Sequence, residues 1–282
     1  MSTNSSRLVV VGCNGFIGKN LCHALETSNI NYIGISKENC DLIDGSSVSV
    51  LRKILRPNDT IVFNSAITPS KNSDDFNKTI QMAINFKEAI SQTGNLHIIL
   101  ISSDSVYGDL NGLITEDTPC NPDSFHGLAQ LSRELILKSI TNCNLAILRL
   151  CAVYGPGDTH NSYGPNRFMR QLLSNKSIEI FGEGKNKRDH VFIQDVINLI
   201  IKCKDLNYTG IINVASGKSY TFNEVSKLCQ AVYNKPANEM FVGSEGRIFE
   251  KTFDITKLTQ VFPGFQPTQL REGLVSSFPT IE

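Results

Sequence analysis

The residues with the most definite chemistry lie near the amino end, in Gly12-Cys-Asn-Gly15-Phe-Ile-Gly18. Three glycines at this spacing, between an apolar run and an amphipathic one, suit a chain that turns sharply from strand into helix. The backbone can then approach a phosphate closely and the helix can pack on the strand, contacts that side chains would obstruct. A tight turn without a ligand uses the same glycines. Here strand, spacing and helix agree, and Gly12, Asn14, Gly15, Phe16, Ile17 and Gly18 read as the pyrophosphate turn of a dinucleotide site. A carboxylate closing the second strand would hold the ribose 2'-hydroxyl of NAD, but Ser36 and Lys37 stand there. A hydroxyl beside an ammonium accommodates a 2'-phosphate, so the expected cofactor is NAD(P), tilted to NADP. A solvated loop lysine fits the same pattern, and Asp41 is the alternative contact, at the adenine end.

Such a turn needs a frame to hold it. Leu8 to Val11 is a run fit for a strand buried on both faces, and Ile17 to Thr27 has helical spacing. The alternation continues through strand Tyr32 to Ile35, helix Ser46 to Leu55, strand Thr60 to Phe63, helix Phe76 to Gln92, and strands Leu96 to Ser102 and Leu145 to Leu150. Strand alternating with helix predicts an α/β fold, a doubly wound parallel (Rossmann) sheet. After residue 150 the pattern loosens into Tyr154-Gly-Pro-Gly-Asp158 and Tyr163-Gly-Pro165. The division expected is a dinucleotide-binding domain over 1–150 and a mainly substrate-binding region over 151–282, with some segments returning to the sheet. Loops from Asp158 to Arg167 and Met240 to Phe253 are expected to shape the substrate pocket, and helix Asn223 to Tyr233 to pack by Val225, Leu228 and Val232.

Composition narrows the partners. The chain has 282 residues, 40% of them apolar, with 27 Lys+Arg against 27 Asp+Glu. That balance leaves no charge surplus for nucleic acid or an anionic membrane. Eight cysteines without a Cys-x-x-Cys pair read as reduced thiols, with no metal site. No stretch approaches the roughly 20 apolar residues of a membrane span, and no signal peptide is visible, so a cytoplasmic location is expected.

Further motifs run nearly end to end: Asn64-Ser-Ala66, Ser102-Ser-Asp-Ser-Val-Tyr-Gly108, Arg149 to Pro156, Phe181-Gly-Glu-Gly184 with Arg188-Asp-His-Val-Phe-Ile-Gln-Asp195, Asn213-Val-Ala-Ser-Gly217, and Pro267 to Leu274. With the glycine turn, this ordered series resembles the extended short-chain dehydrogenase/reductases, the family of NAD(P)-dependent sugar-nucleotide epimerases, dehydratases and reductases. The resemblance implies a nucleotide-diphosphate sugar as substrate and a hydride passed between nicotinamide and a sugar carbon. It makes Ser65 and Ala66 cofactor contacts and Arg188 a diphosphate contact, with Lys185 and Lys187 raising the local potential. It also implies a possible homodimer through helices near Phe76 to Gln92 and Gly127 to Ile140.

The resemblance assigns the proton work to a Ser or Thr, a Tyr, and a Lys four residues after the Tyr, on one helix face. Ser103 matches the first. In register with Pro122-Asp-Ser124, the other two positions hold His126 and Gln130. An imidazole with an intrinsic pKa of about 6.5 exchanges protons near neutrality without an ammonium to tune it, and Gln130 can bond ribose hydroxyls. The other reading is a site kept for binding or regulation alone. Asp104 resembles the acid of the family's dehydratases, but the neighbouring Glu is absent and a turn residue is the simpler role, so dehydration ranks below epimerisation or 4-keto reduction. Ala152 replaces the family's Asn in R-x-x-N-V-Y-G.

Overall fold

The structure, a computed structural model, describes residues 7–158, 164–243 and 248–277. Tyr163, residues 159–163 of the first expected pocket loop and 244–247 of the second lie outside the described residues. In chain order the elements are β1 (Leu8–Val11), α1 (Phe16–Thr27), β2 (Tyr32–Ile35), α2 (Ser47–Ile54), β3 (Thr60–Phe63), α3 (Ser73–Ile90), β4 (Leu96–Ser103), β5 (Gly112–Ile114), α4 (Phe125–Lys138), β6 (Cys143–Leu150), β7 (Ala152–Tyr154) and α5 (Pro165–Leu173). There follow β8 (Ile178–Phe181), β9 (Lys187–Phe192), α6 (Ile193–Asp205), β10 (Gly210–Val214), β11 (Ser219–Thr221), α7 (Phe222–Val232), β12 (Glu239–Val242), β13 (Lys251–Phe253), α8 (Thr256–Val261) and α9 (Leu270–Ser277).

Two compact units emerge, and the chain passes between them more than once. The first contains residues 1–108, 119–149 and 197–212; the second contains 109–118, 150–196 and 213–282. The first is built on a six-stranded sheet ordered β10-β6-β4-β3-β1-β2. β1 pairs in parallel with β2 and β3, and β3 with β4. Its central strands β1, β3 and β4 are buried on both faces, as their uninterrupted apolar runs require: Val9, Val11, Ile61 and Phe63 pack under α2 and α3 with Leu51, Ala83 and Phe86. Register decides what this sheet presents. Val11 is level with Ile35 and Phe63, and Phe63 with Leu100, so Gly12, Ser36, Asn64 and the end of β4 emerge along one edge. That carboxyl edge, where the strand order reverses at β1, is the ligand edge of an open α/β sheet.

The second unit holds small sheets, β11-β9-β7, β12-β8 and β13-β5. Its core gathers Tyr154, Phe168, Leu172, Ile180, Phe222 and Val225 from β7, α5, β8 and α7. A capping box starts α7, in which Thr221 accepts from the Glu224 N–H and the Glu224 carboxylate accepts from the Thr221 N–H. No helix among the described residues is long and apolar enough to cross a membrane.

Candidate functional site

The glycine turn is anchored by the sheet edge. The N–H groups of Gly12 and Cys13 donate to the Ile35 carbonyl at 2.8 and 3.1 Å, and Asn64 Nδ2 donates to the Gly12 carbonyl at 3.4 Å. Gly12 has φ +92°, a conformation that glycine adopts without strain, and a Cβ there would fall 3.0 Å from Ser65 Oγ. At Gly18 a Cβ would meet the Gly12 carbonyl oxygen at 2.2 Å, so α1 lies against the turn as closely as backbone permits. Gly15 occupies the N-cap of α1 with no side-chain acceptor, and the first turn carries no acidic residue. The first N–H groups of α1 are therefore without a side-chain cap, as an anion-binding helix start requires. Phe16 is buried and Ile17 half-buried at the start of α1.

Beyond β2, Lys37 stands clear of the glycine turn. Its ammonium is exposed and faces Asp41 at 3.8 Å, while Asp41 Oδ1 accepts from the Ile43 N–H at 3.0 Å, closing a local turn. The group that meets the glycine turn is one that sequence reading missed, Glu38, whose carboxylate accepts from Asn14 Nδ2 at 2.9 Å. Ser36, the Glu38 backbone N–H and Asn14 hold this exposed carboxyl below the usual range.

The proton-transfer candidates lie at the end of β4 and the start of α4. Ser103 caps a 3-10 turn, Asp104–Tyr107: its Oγ accepts from the Ser105 N–H at 3.2 Å and the Ser105 hydroxyl at 2.9 Å, and donates to Asp104 Oδ1 at 3.3 Å. Ser124 caps α4, accepting from the Gly127 N–H at 3.1 Å. A Cβ at Gly127 would fall 2.3 Å from the Ser105 carbonyl, so the first turn of α4, with His126, rests against the Ser103–Ser105 segment.

Two features of α4 correct the sequence expectations. Burial, and then the charge of Arg133, pushes the His126 imidazole down to about 4, and its Nδ1 is buried without a hydrogen-bond partner. The ring is neutral at pH 7 and does not titrate near neutrality as its intrinsic value suggested. Gln130 is buried and its Oε1 accepts a hydrogen bond from Arg133 Nη1, so that oxygen is not available to ribose.

Beneath them runs a buried charge network. Glu134 accepts from Arg149 Nε at 3.0 Å and Nη2 at 2.7 Å and from Ser102 Oγ at 2.6 Å, while Arg149 Nη1 donates to Tyr107 Oη at 2.9 Å. This ties β4, the 3-10 turn, α4 and β6 together directly under Ser103.

In the second unit, Arg188 on β9 donates from Nη2 to Asp109 Oδ1 at 2.9 Å, and the buried Lys251 ammonium lies 3.2 Å from the same oxygen. Arg188 Nη1 is buried without a partner. Two cations over one carboxylate leave local positive charge. Lys185 and Lys187, expected to add to it, are paired with Glu183 and Glu250. Asp109 and Lys251 were not visible as partners because each is far from Arg188 in sequence. The eight cysteines form no disulfides.

Over residues 8–215 the chain matches the NAD dependent epimerase/dehydratase family. It is 25% identical to the UDP-glucose 4-epimerase of Mycolicibacterium smegmatis, over 96% of this chain and 97% of that protein. Among solved structures it is similar to a UDP-glucuronic acid 4-epimerase from Bacillus cereus in complex with UDP-glucuronic acid and NAD, with TM-score 0.80, 25% identity, and 96% and 97% of the two chains covered. A UDP-N-acetylglucosamine 4-epimerase from Methanobrevibacter ruminantium M1 superposes with TM-score 0.82 at 25% identity over 97% of each chain.

Proposed function

The chain belongs to the NAD dependent epimerase/dehydratase family, and from that membership we propose that it binds NAD and inverts carbon 4 of a UDP-linked sugar. The observation that carries this is the turn at the sheet edge, where Gly12 and Gly18 let the chain and α1 pack more closely than any Cβ would allow and the start of α1, with no side-chain cap, leaves its first N–H groups for a pyrophosphate. The 4-epimerase activities named for the similar proteins support the reaction class. Glu38 beside Asn14 supports NAD over NADP, because a carboxylate accepts from a 2'-hydroxyl and repels a 2'-phosphate.

Bound NAD supplies a hydride acceptor and, in the reverse step, a donor. Gly12 to Gly18 would hold its pyrophosphate, and Ser65 and Ala66, half-buried beyond β3, would lie along it. Ser103 would turn its hydroxyl from Asp104 to the sugar oxygen, and the His126 imidazole, neutral by burial, would take the hydroxyl proton and return it. Gln130 would hold ribose through its Nε2. In the second unit, Arg188 would offer Nη1 to a diphosphate oxygen.

The test is incubation of the protein and NAD with UDP-glucose or UDP-glucuronic acid, with the anomeric proton of the carbon 4 epimer followed by NMR. Epimer formation, reduced about 100-fold or more by His126→Ala, is the expected result. Tight NAD binding without turnover of either sugar would favour the binding-only reading. Pairing of two copies through α3 and α4 is part of the same proposal, supported by Ile84, Leu128 and Leu135 standing exposed on those helices. A monomer mass in sedimentation at micromolar concentration would remove it.

A further inference from the structure

Arg133 is among the largest fully buried side chains, and no carboxylate among the described residues forms an ion pair with it. Its neighbour Glu134 is committed to Arg149. The Arg133 guanidinium instead donates from Nη1 to the Ile101 carbonyl at 2.9 Å and to Gln130 Oε1, and from Nη2 to the Phe63 carbonyl at 3.4 Å, with the Phe63 ring 5.1 Å from its carbon. Its Nε has no partner. Burying a guanidinium in this way costs more than burying an apolar side chain of similar volume, so fold stability does not account for it. Its position is informative. Phe63 is the last residue of β3 and Ile101 lies two residues before Ser103, so the cation stands under the edge that carries Asn64, Ser65 and Ser103.

A carboxamide is ambivalent, since one end accepts and the other donates; a guanidinium only donates. Contact between them settles which way the amide faces, with oxygen towards the arginine and Nε2 left over. We infer that Arg133 is a positioning residue that locks the Gln130 amide so that this side chain offers the cofactor donors only. Gln130 and Arg133 together then act as the lysine of the resembled motif would: a donor head at position 130, with the positive charge moved one helical turn further along α4. The inference rests on the NAD binding proposed above.

Gln130→Glu separates positioning from structure. Glutamate has nearly the same shape, and its carboxylate gives Arg133 an ion-pair partner, but it has no donor. In ligand-free protein at pH 7 the expected midpoint of thermal unfolding is equal to or above the parent's, while calorimetry shows NADH binding weakened about tenfold or more. Arg133→Met, which frees the amide to turn, is expected to weaken NADH as Gln130→Met does, and the two together no more than either alone. Gln130→Glu binding NADH within about twofold of the parent would overturn the inference and leave the proposed function standing. Failure of the parent to bind either NAD or NADH would overturn both.

Discussion

His126 shows how little the intrinsic chemistry of a residue says before its surroundings are known. Its sequence position identifies it; its basicity is set by burial and by Arg133 two helical turns away. If the neutral ring is the working base, kcat/KM should stay level from pH 8 to about 5 and fall as pH drops through about 4, an acid limb of the same sense as that of a tyrosine base but displaced to lower pH. Arg133→Met, by removing a nearby positive charge, should move that acid limb to higher pH. The pH–rate profiles of the two proteins check both. At Gly18 the expectation is steric: Gly18→Ala pushes a methyl group onto the Gly12 carbonyl and should abolish NAD binding, read by calorimetry. His190 on β9 is buried with both ring nitrogens unpartnered, its ring edge-on to Phe222, and burial pushes it down to about 4. His190→Phe should therefore raise stability at acid pH by removing a ring that must stay uncharged in the folded state.

At the scale of elements, α4 carries two of the four candidate catalytic residues, His126 and Gln130, and much of what sequence could not disclose. Its apolar spacing and its His126/Gln130 positions were legible, and so was the β1–turn–α1 unit, because those rest on local periodicity and glycine geometry. Starts were less so. α3 begins at Ser73 rather than Phe76 because Asn72 accepts from the Asp75 N–H at 2.9 Å, and α4 at Phe125 because Ser124 caps it; polar caps do not register in an apolar pattern. Arg133 lies on the same helical face as Gln130 and was readable as a neighbour, but only the third dimension shows that it has no carboxylate of its own. The Glu134–Arg149 pair joins residues on different elements and could not be read from spacing. Glu134→Gln should cost about 3–5 kcal/mol in chemical denaturation, because it leaves a buried guanidinium without its counter-charge.

For the molecule as a whole, the lowered histidines couple folding to acidity. His126 and His190 ionise near 4 in the folded chain against 6.5 when unfolded, and burial lowers His97 as well. Between those values the unfolded chain holds more protons, so stability present above about pH 6.5 is lost as pH falls towards 4, at up to about 1.4 kcal/mol per pH unit for each fully shifted ring. Asp195, raised mainly by burial, opposes this weakly. Unfolding midpoints measured between pH 7 and 4 should fall accordingly, and less steeply in His190→Phe. Sequence placed the sheet and expected later segments to return to it, but not where, because the excursion into the second unit over 109–118 and the later return to the first at 197, inside α6, change no local composition. One consequence concerns what position 130 tolerates. Gln130→Lys would crowd a second positive charge beside Arg133 in a dry interior and should lower the unfolding midpoint, and Arg133→Met in the same chain should restore it.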